Sequence, residues 1–236
     1  MDPGQNHGVG VAFTTRHGGV SPAPFDSLNV CDLPQANPFE VKTNLELIRA
    51  ALRLRALVGV HQLHSAEVLT VPPGVGVNGS LARADALVTA AAGVGLLIKV
   101  GDCVPVLLAD PGRRVVGAAH AGRVGLLAGV LPNTVEALRD LGARELVAWI
   151  GPHVCPLCYE VPEDMAEAAW EALPATRAAS RHGTPAIDLG EGAAAQLAEL
   201  GVTVHRLDPC TAENSDLFSH RRDGDQSGRL GAIVWM

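Results

Sequence analysis

The chain has 236 residues, 47% of them hydrophobic, only 3% aromatic, and carries a formal charge of −7. That apolar content is enough for a large core built from Ala, Val and Leu, and it excludes a disordered chain. An acidic chain with no Lys/Arg block is a poor binder of nucleic acid or of membrane surfaces.

No run approaches about 18 consecutive apolar residues, so no membrane span is predicted. The N-terminal MDPGQNHGVGVAF lacks the basic and long apolar regions of a secretory signal. Five cysteines stand at positions 31, 103, 155, 158 and 210. The odd count argues against a disulfide framework, and a cytoplasmic location is expected. Without repeats or a clear linker, residues 1–236 are expected to form one domain.

In chain order, Gly8–Thr14 is predicted as a first strand, followed by a loop rich in Gly, Pro and Ser. Arg16, running into His17-Gly18-Gly19, either presents a guanidinium to an anion or sits on an ordinary surface loop. Residues 39–57 are helical by pattern, with Val41, Leu45, Ile48 and Leu52 on one stripe. Asn44 lies near that stripe as an exposed polar residue. Leu57–Val60 is a strand leading into His61-Gln62-Leu63-His64-Ser65, and Glu67–Val71 continues extended. Chemistry alone does not rank His61 against His64.

GVGVNG at residues 74–79 is a formal GxGxxG but opens no helix, so it reads as a turn rather than a dinucleotide fingerprint. Asp85 is a lone carboxylate before the strand Ala86–Thr89. Taken alone it is a turn or cap residue.

Gly95–Val100 leads into the stretch VGDCVPVLLADPGRRVVGAAHAGRVG at residues 100–125. Two buried strands are predicted there, Val104–Ala109 and Val115–Ala119. Cys103 opens the first and His120 closes the second, each among small or turn residues. With His64 they make a nitrogen and sulfur donor set suited to zinc or a related transition metal. Three protein ligands leave a fourth position for water or substrate. The plain alternative is a buried cysteine and a histidine that caps a loop.

Val124–Leu141 is helical, with Pro132 as a kink or second start. After the strand Glu145–Gly151 comes a CxxC, Cys155 and Cys158. No second CxxC exists, so a closed four-cysteine zinc site is excluded and the motif is a weak sign of redox or metal chemistry. Pro162–Leu173 and Gly190–Leu200 are amphipathic helices, and Thr203–Leu207 and Leu230–Trp235 are strands. The loop between residues 216 and 229 carries Arg221 and Arg222, which either bind phosphate or lie on a solvated face.

The blocks TTRHGGVS, LN followed by Asn44, QLHS, ADALVT, GDCVPVLLAD, HAG, IGP, YEV, DLFSHRRDG and a terminal GR–IVW stand together in this order. Their combination resembles the multicopper polyphenol oxidase (laccase-domain) family, described largely as purine nucleoside phosphorylases. The resemblance covers nearly the whole chain. It implies a single-domain α/β layered sandwich of mixed sheets covered by helices. It implies the metal ligands His64, Cys103 and His120, with zinc as the usual ion and copper as the alternative. The implied activities are phosphorolysis of adenosine, inosine, guanosine and methylthioadenosine, and deamination of adenosine. The partners would be a purine nucleoside and phosphate. Asp85 would orient a ligand or move a proton, and the substrate side would draw on Arg16, Asn44, Arg123, Arg221 and Arg222. Arg123 replaces the family's usual Trp after HAG, and His220 replaces its usual Tyr before RRDG.

Other readings are phenol oxidation with copper, editing of peptidoglycan precursors, a non-catalytic binding role, and a metal-free cysteine hydrolase using Cys103.

Overall fold

A computed structural model describes residues 8–31, 33–75, 79–207 and 209–236. The turn reading of GVGVNG therefore falls partly outside the described residues, as does the reading of the N-terminal segment up to residue 7.

Period-two alternation along the strands builds the layers. In strand β7 (Val104–Asp110), Val104, Val106 and Leu108 face one core, while Leu107 and Ala109 face another. Strand β8 (Val115–Ala121) does the same with Val115, Ala119 and Ala121 against Val116 and Ala118. Both strands are buried on each face, so they read as apolar runs rather than as alternating ones. On the other sheet, β2 (Ala56–His61), β6 (Val94–Val100) and β13 (Leu230–Trp235) send Val58, Leu96, Ile98 and Val234 inward. Their opposite faces put Leu57, Leu97 and Ile233 against helix α1 (Pro38–Ala51).

The remaining strands are β1 (Gly10–Phe13), β3 (Val68–Thr70), β4 (Gly79–Arg83), β5 (Ala86–Thr89), β9 (Val147–Ile150), β10 (Arg177–Ala179), β11 (Pro185–Ile187) and β12 (Thr203–Arg206). One sheet has the order β1-β13-β6-β2-β4 and the other β12-β9-β7-β8-β5-β3, with β10 and β11 as a separate pair. Both large sheets are mixed: β2 runs parallel to β4 and β6, while β7 is antiparallel to β8 and β9. The outer face of the six-stranded sheet is covered by α2 (Arg123–Leu127), α3 (Val130–Asp140), α4 (Glu163–Ala172) and α5 (Leu189–Glu199). The order of layers is therefore helix, sheet, sheet, helices, as a mixed α/β sandwich requires.

Several elements differ from the sequence reading. The first predicted helix ends at Ala51, because β2 begins at Ala56. Over residues 124–141 the second-start reading of Pro132 holds rather than the kink: Gly129 takes φ 91° between two helices and Pro132 lies in the first turn of α3. The loop after residue 216 contains a short helix, α6 (His220–Asp223), capped by the Ser219 hydroxyl. No helix among the described residues is long and apolar enough to cross a membrane.

The connections that position the site share one property. The chain passes from the five-stranded to the six-stranded sheet three times, from β2 to β3, β4 to β5 and β6 to β7. His64, Asp85 and Cys103 lie in those three connections.

A candidate metal centre at the crossover loops

The register of β7 against β8 pairs Pro105 with His120 and Val104 with Ala121. Cys103, one residue before β7, is thereby set beside the imidazole of His120, which lies within β8 rather than after it. His64 arrives from the β2–β3 connection. Its Nε2 is 3.6 Å from Cys103 Sγ, and its ring centroid is 4.8 Å from that of His120. The donor atoms of His64, Cys103 and His120 all fall within 4.8 Å of one another.

Asp85 organises this cluster from behind. It is fully buried. Its carboxylate accepts the backbone N–H groups of Leu63, His64 and Ser65 at 2.7–3.2 Å, and the Ser65 hydroxyl at 2.8 Å. It also bonds His120 Nδ1 at 2.9 Å. With Nδ1 held there, Nε2 is the His120 nitrogen left for a metal. Burial by itself would raise the Asp85 carboxyl, but the bonds from His120, Ser65 and Leu63 outweigh it and hold it well below the usual carboxylate range.

The backbone is strained at the same place. His64 takes φ 62° and Asp102, next to Cys103, takes φ 98°. Non-glycine residues in this region cost about 1–3 kcal/mol each and persist only when their surroundings fix them. Asp85 fixes His64. Asp102 is fixed by the Thr211 hydroxyl at 2.6 Å and the Arg221 N–H at 2.5 Å. Gln62 adds a third brace: its amide bonds both the N–H and the carbonyl of Lys99 on β6.

Burial raises the Cys103 thiol, but the charges and hydrogen bonds of His120 and His64 outweigh it and bring it down to about 6. Burial lowers His120, while the Cys103 charge and the bond to Asp85 raise it further, to about 9. The site thus favours a thiolate at Cys103, the form that binds metal. The donor set fits a zinc-type ion, and the surroundings make room for it. A Cβ at Gly122 would lie 2.5 Å from His64 Cδ2 and 3.1 Å from Cys103 Sγ.

His64, Cys103 and His120 open onto a cavity of about 1110 Å³. Its walls include Val41, Leu45 and Leu63, and the cations Lys99 and Arg229. Lys99 Nζ donates to Ser80 Oγ at 3.1 Å, and Arg229 Nη1 to the carbonyls of Ser227 and Gly228. Sequence reasoning missed Lys99 and Arg229. Arg229 stood in the terminal GR–IVW block without being given a role, and Lys99 had only its place two residues before the GDC motif as a signal.

Among the described residues lining this cavity, none of the five predicted substrate residues appears. Asn44 is fully buried, not exposed. Its side-chain NH2 donates to Ser21 Oγ and to the carbonyls of Ser27 and Asn29, and its Oδ1 accepts from Val20 N–H. Those bonds tie the N-terminal loop to α1. Arg16 stacks on Phe218 and bonds Asp26. Arg222 bonds Asp223 and the carbonyls of Thr211, Asn214 and Leu217. Arg221 lies 5.0 Å from the Tyr159 ring centroid and lines a second, separate cavity of about 750 Å³. Arg123 opens α2 and also faces Tyr159. Burial and the Cys103 charge raise the Tyr159 hydroxyl, and Arg123 and Arg221 pull against them.

Residues 10–236 match the model of a family described as multi-copper polyphenol oxidoreductase laccase. The chain belongs to that family. Within the laccase-domain family, the purine nucleoside phosphorylase ORF3 of Streptomyces griseus is 46% identical over 232 residues, 95% of this chain and 93% of the relative. The purine nucleoside phosphorylase YfiH of Escherichia coli is 36% identical over 238 residues, 98% and 96% of the two chains. The crystal structure of Bacillus licheniformis YfiH superposes with a TM-score of 0.88 at 29% identity, covering 97% of this chain and 92% of the other. The laccase-domain fold and the His/Cys/His cluster both point to metal binding.

Proposed function

We propose that this chain is a metal-dependent purine nucleoside enzyme that phosphorolyses adenosine, inosine, guanosine and methylthioadenosine and deaminates adenosine. The observation that carries the reading is the meeting of His64, Cys103 and His120 at the wall of a cavity large enough for a nucleoside. The names of the relatives at 46% and 36% identity support the substrate class.

Zinc bound by His64, Cys103 and His120 would supply Lewis acidity and bring the pKa of water down toward about 7. Asp85 fixes the tautomer and orientation of His120 and holds the 63–65 backbone in place. Val41, Leu45 and Leu63 give the purine an apolar wall. Lys99 and Arg229, on the same cavity, hold phosphate for its approach to C1′ of the ribose while the base departs. We assign phosphate to this pair rather than to Arg16 or Arg222, because those two guanidiniums are already bonded to carboxylates.

The deciding experiment incubates the zinc-loaded protein with adenosine, with and without phosphate, and identifies the products. Adenine with ribose 1-phosphate marks phosphorolysis; inosine marks deamination. His120→Ala and Cys103→Ala are expected to abolish both. Full turnover by Cys103→Ala sinks the site assignment, and phenol-dependent oxygen uptake under copper without nucleoside turnover would replace the reading with the oxidase one. Arg229→Ala is expected to raise the KM for phosphate about tenfold or more and leave that for adenosine nearly unchanged. If Arg123→Ala has that effect instead, phosphate lies on the Tyr159 side.

A further inference from the structure

The CxxC has partners that the sequence did not suggest. Cys155 precedes and Cys158 ends the turn Pro156–Cys158 after β9. Cys210 and Glu213 flank a turn on the far side of β12. The four donor atoms all lie within 4.8 Å of one another, and none of the four residues belongs to the His64 cluster.

We propose that Cys155, Cys158, Cys210 and Glu213 form a second, structural zinc site. Two knuckles of the same spacing face each other, Cys155-Pro156-Leu157-Cys158 and Cys210-Thr211-Ala212-Glu213. That spacing is the one with which short turns present paired ligands to zinc. Zn–S bonds of about 2.3 Å at a tetrahedral angle put sulfurs about 3.8 Å apart, so these side chains need close by only about an ångström to grip an ion. A thiolate-rich set selects zinc over calcium or magnesium. Four protein donors leave no open position, which separates this site from the His64 cluster and makes it structural.

Burial and the neighbouring thiols raise Cys155 and Cys158, so an ion has to displace their protons to bind, and two hydrogen bonds already reach the sulfurs. The Cys155 N–H donates to Cys210 Sγ at 3.3 Å, and Arg181 Nη2 donates to Cys158 Sγ at 2.9 Å. Arg181 also pairs with Glu213. Three thiolates and a carboxylate around a dication leave two negative charges, and Arg181 offsets one of them. Such outer bonds orient the ligands.

The site's place gives it a purpose. Cys210 bridges to His153, and Thr211, the next residue, holds Asp102 beside Cys103. An ion joining the two knuckles clamps the loop after β12 to the exit of β9, and through Thr211 it steadies the strained residue next to the candidate metal centre.

The test is zinc content per folded chain, measured by mass spectrometry of the element. Wild type is expected to hold two ions. Cys158→Ser, Cys210→Ser and His120→Ala are each expected to hold one, and the His120→Ala/Cys158→Ser double variant none. Loss of zinc in Cys158→Ser but not in His120→Ala supports this site while removing the first. Equal zinc in Cys158→Ser and wild type overturns it. If the cysteine variants do not fold, the exposed Glu213 gives an independent arm. Glu213→Ala is expected to lose zinc to a chelator about tenfold or more faster, and Glu213→Cys to hold it longer. Identical loss in all three proteins overturns the proposal. So does an intact mass short by two hydrogens, which marks a disulfide among these thiols.

Discussion

At the residue scale, Asp85 is the side chain that organises the candidate metal centre from behind. It accepts three backbone N–H groups, a hydroxyl and an imidazole from one buried position. Asp85→Asn keeps the shape but removes the charge and turns an acceptor into a donor. The variant is expected to lose about 10–100-fold in metal affinity at the His64 cluster. Competition with a colorimetric chelator, in a Cys158→Ser background, reads that loss directly. Gly122 gives a second test. Its φ is −71°, so Ala has no backbone penalty there, yet its methyl would press on His64 and Cys103. Gly122→Ala is expected to weaken metal binding about tenfold or more, with a small change in melting temperature. Normal metal binding by this variant would show that the ligands do not converge as described.

At the element scale, two buried polar residues join segments far apart in sequence. Asn44→Ala removes four hydrogen bonds between α1 and the N-terminal loop and is expected to cost about 2–4 kcal/mol in urea unfolding. Asp110 ends β7 and accepts the N–H groups of Arg113, Arg144 and Glu145, so it ties the β7–β8 turn to the approach to β9. Burial raises its carboxyl, but those bonds outweigh it and hold it below its ordinary value. A depressed carboxyl stabilises the fold above its unfolded pKa of about 3.9 and loses that contribution as pH falls through the lower folded value. Wild type is therefore expected to exceed Asp110→Asn by about 1–3 kcal/mol at neutral pH, with the gap closing in acid. Denaturant midpoints measured across that pH range check the sign.

At the scale of the whole molecule, the interface between the sheets is the main apolar layer. Leu107, fully buried there, is expected to cost about 2–5 kcal/mol when cut to Ala. Much of this architecture was legible. The apolar runs at residues 95–100, 104–109 and 115–119 announced strands, the last two as buried ones, and the 41–52 stripe announced α1. Strand pairing was not legible, because nothing local says that β13 lies between β1 and β6 or that the β2, β4 and β6 exits share one end. The His64, Cys103 and His120 cluster was suggested by donor type and then by resemblance. Asp85 looked like a turn residue because its five partners lie 20 to 35 residues away. The surroundings of Arg16, Arg221 and Arg222 were not legible for the converse reason. A guanidinium in a motif shows its charge in sequence, but not the carboxylate or carbonyl that already holds it.

The central place of β13 bears on how the chain is made. Until a ribosome has delivered residues 230–235, β1 and β6 face each other across a missing strand. Arg229, which lines the cavity, emerges with that same segment. His64, Cys103 and His120 have by then been synthesised, more than a hundred residues earlier. The residues of the candidate metal centre are thus synthesised well before the strand that joins β1 to β6, and the Arg229 wall of the cavity is the last part of the site to be made.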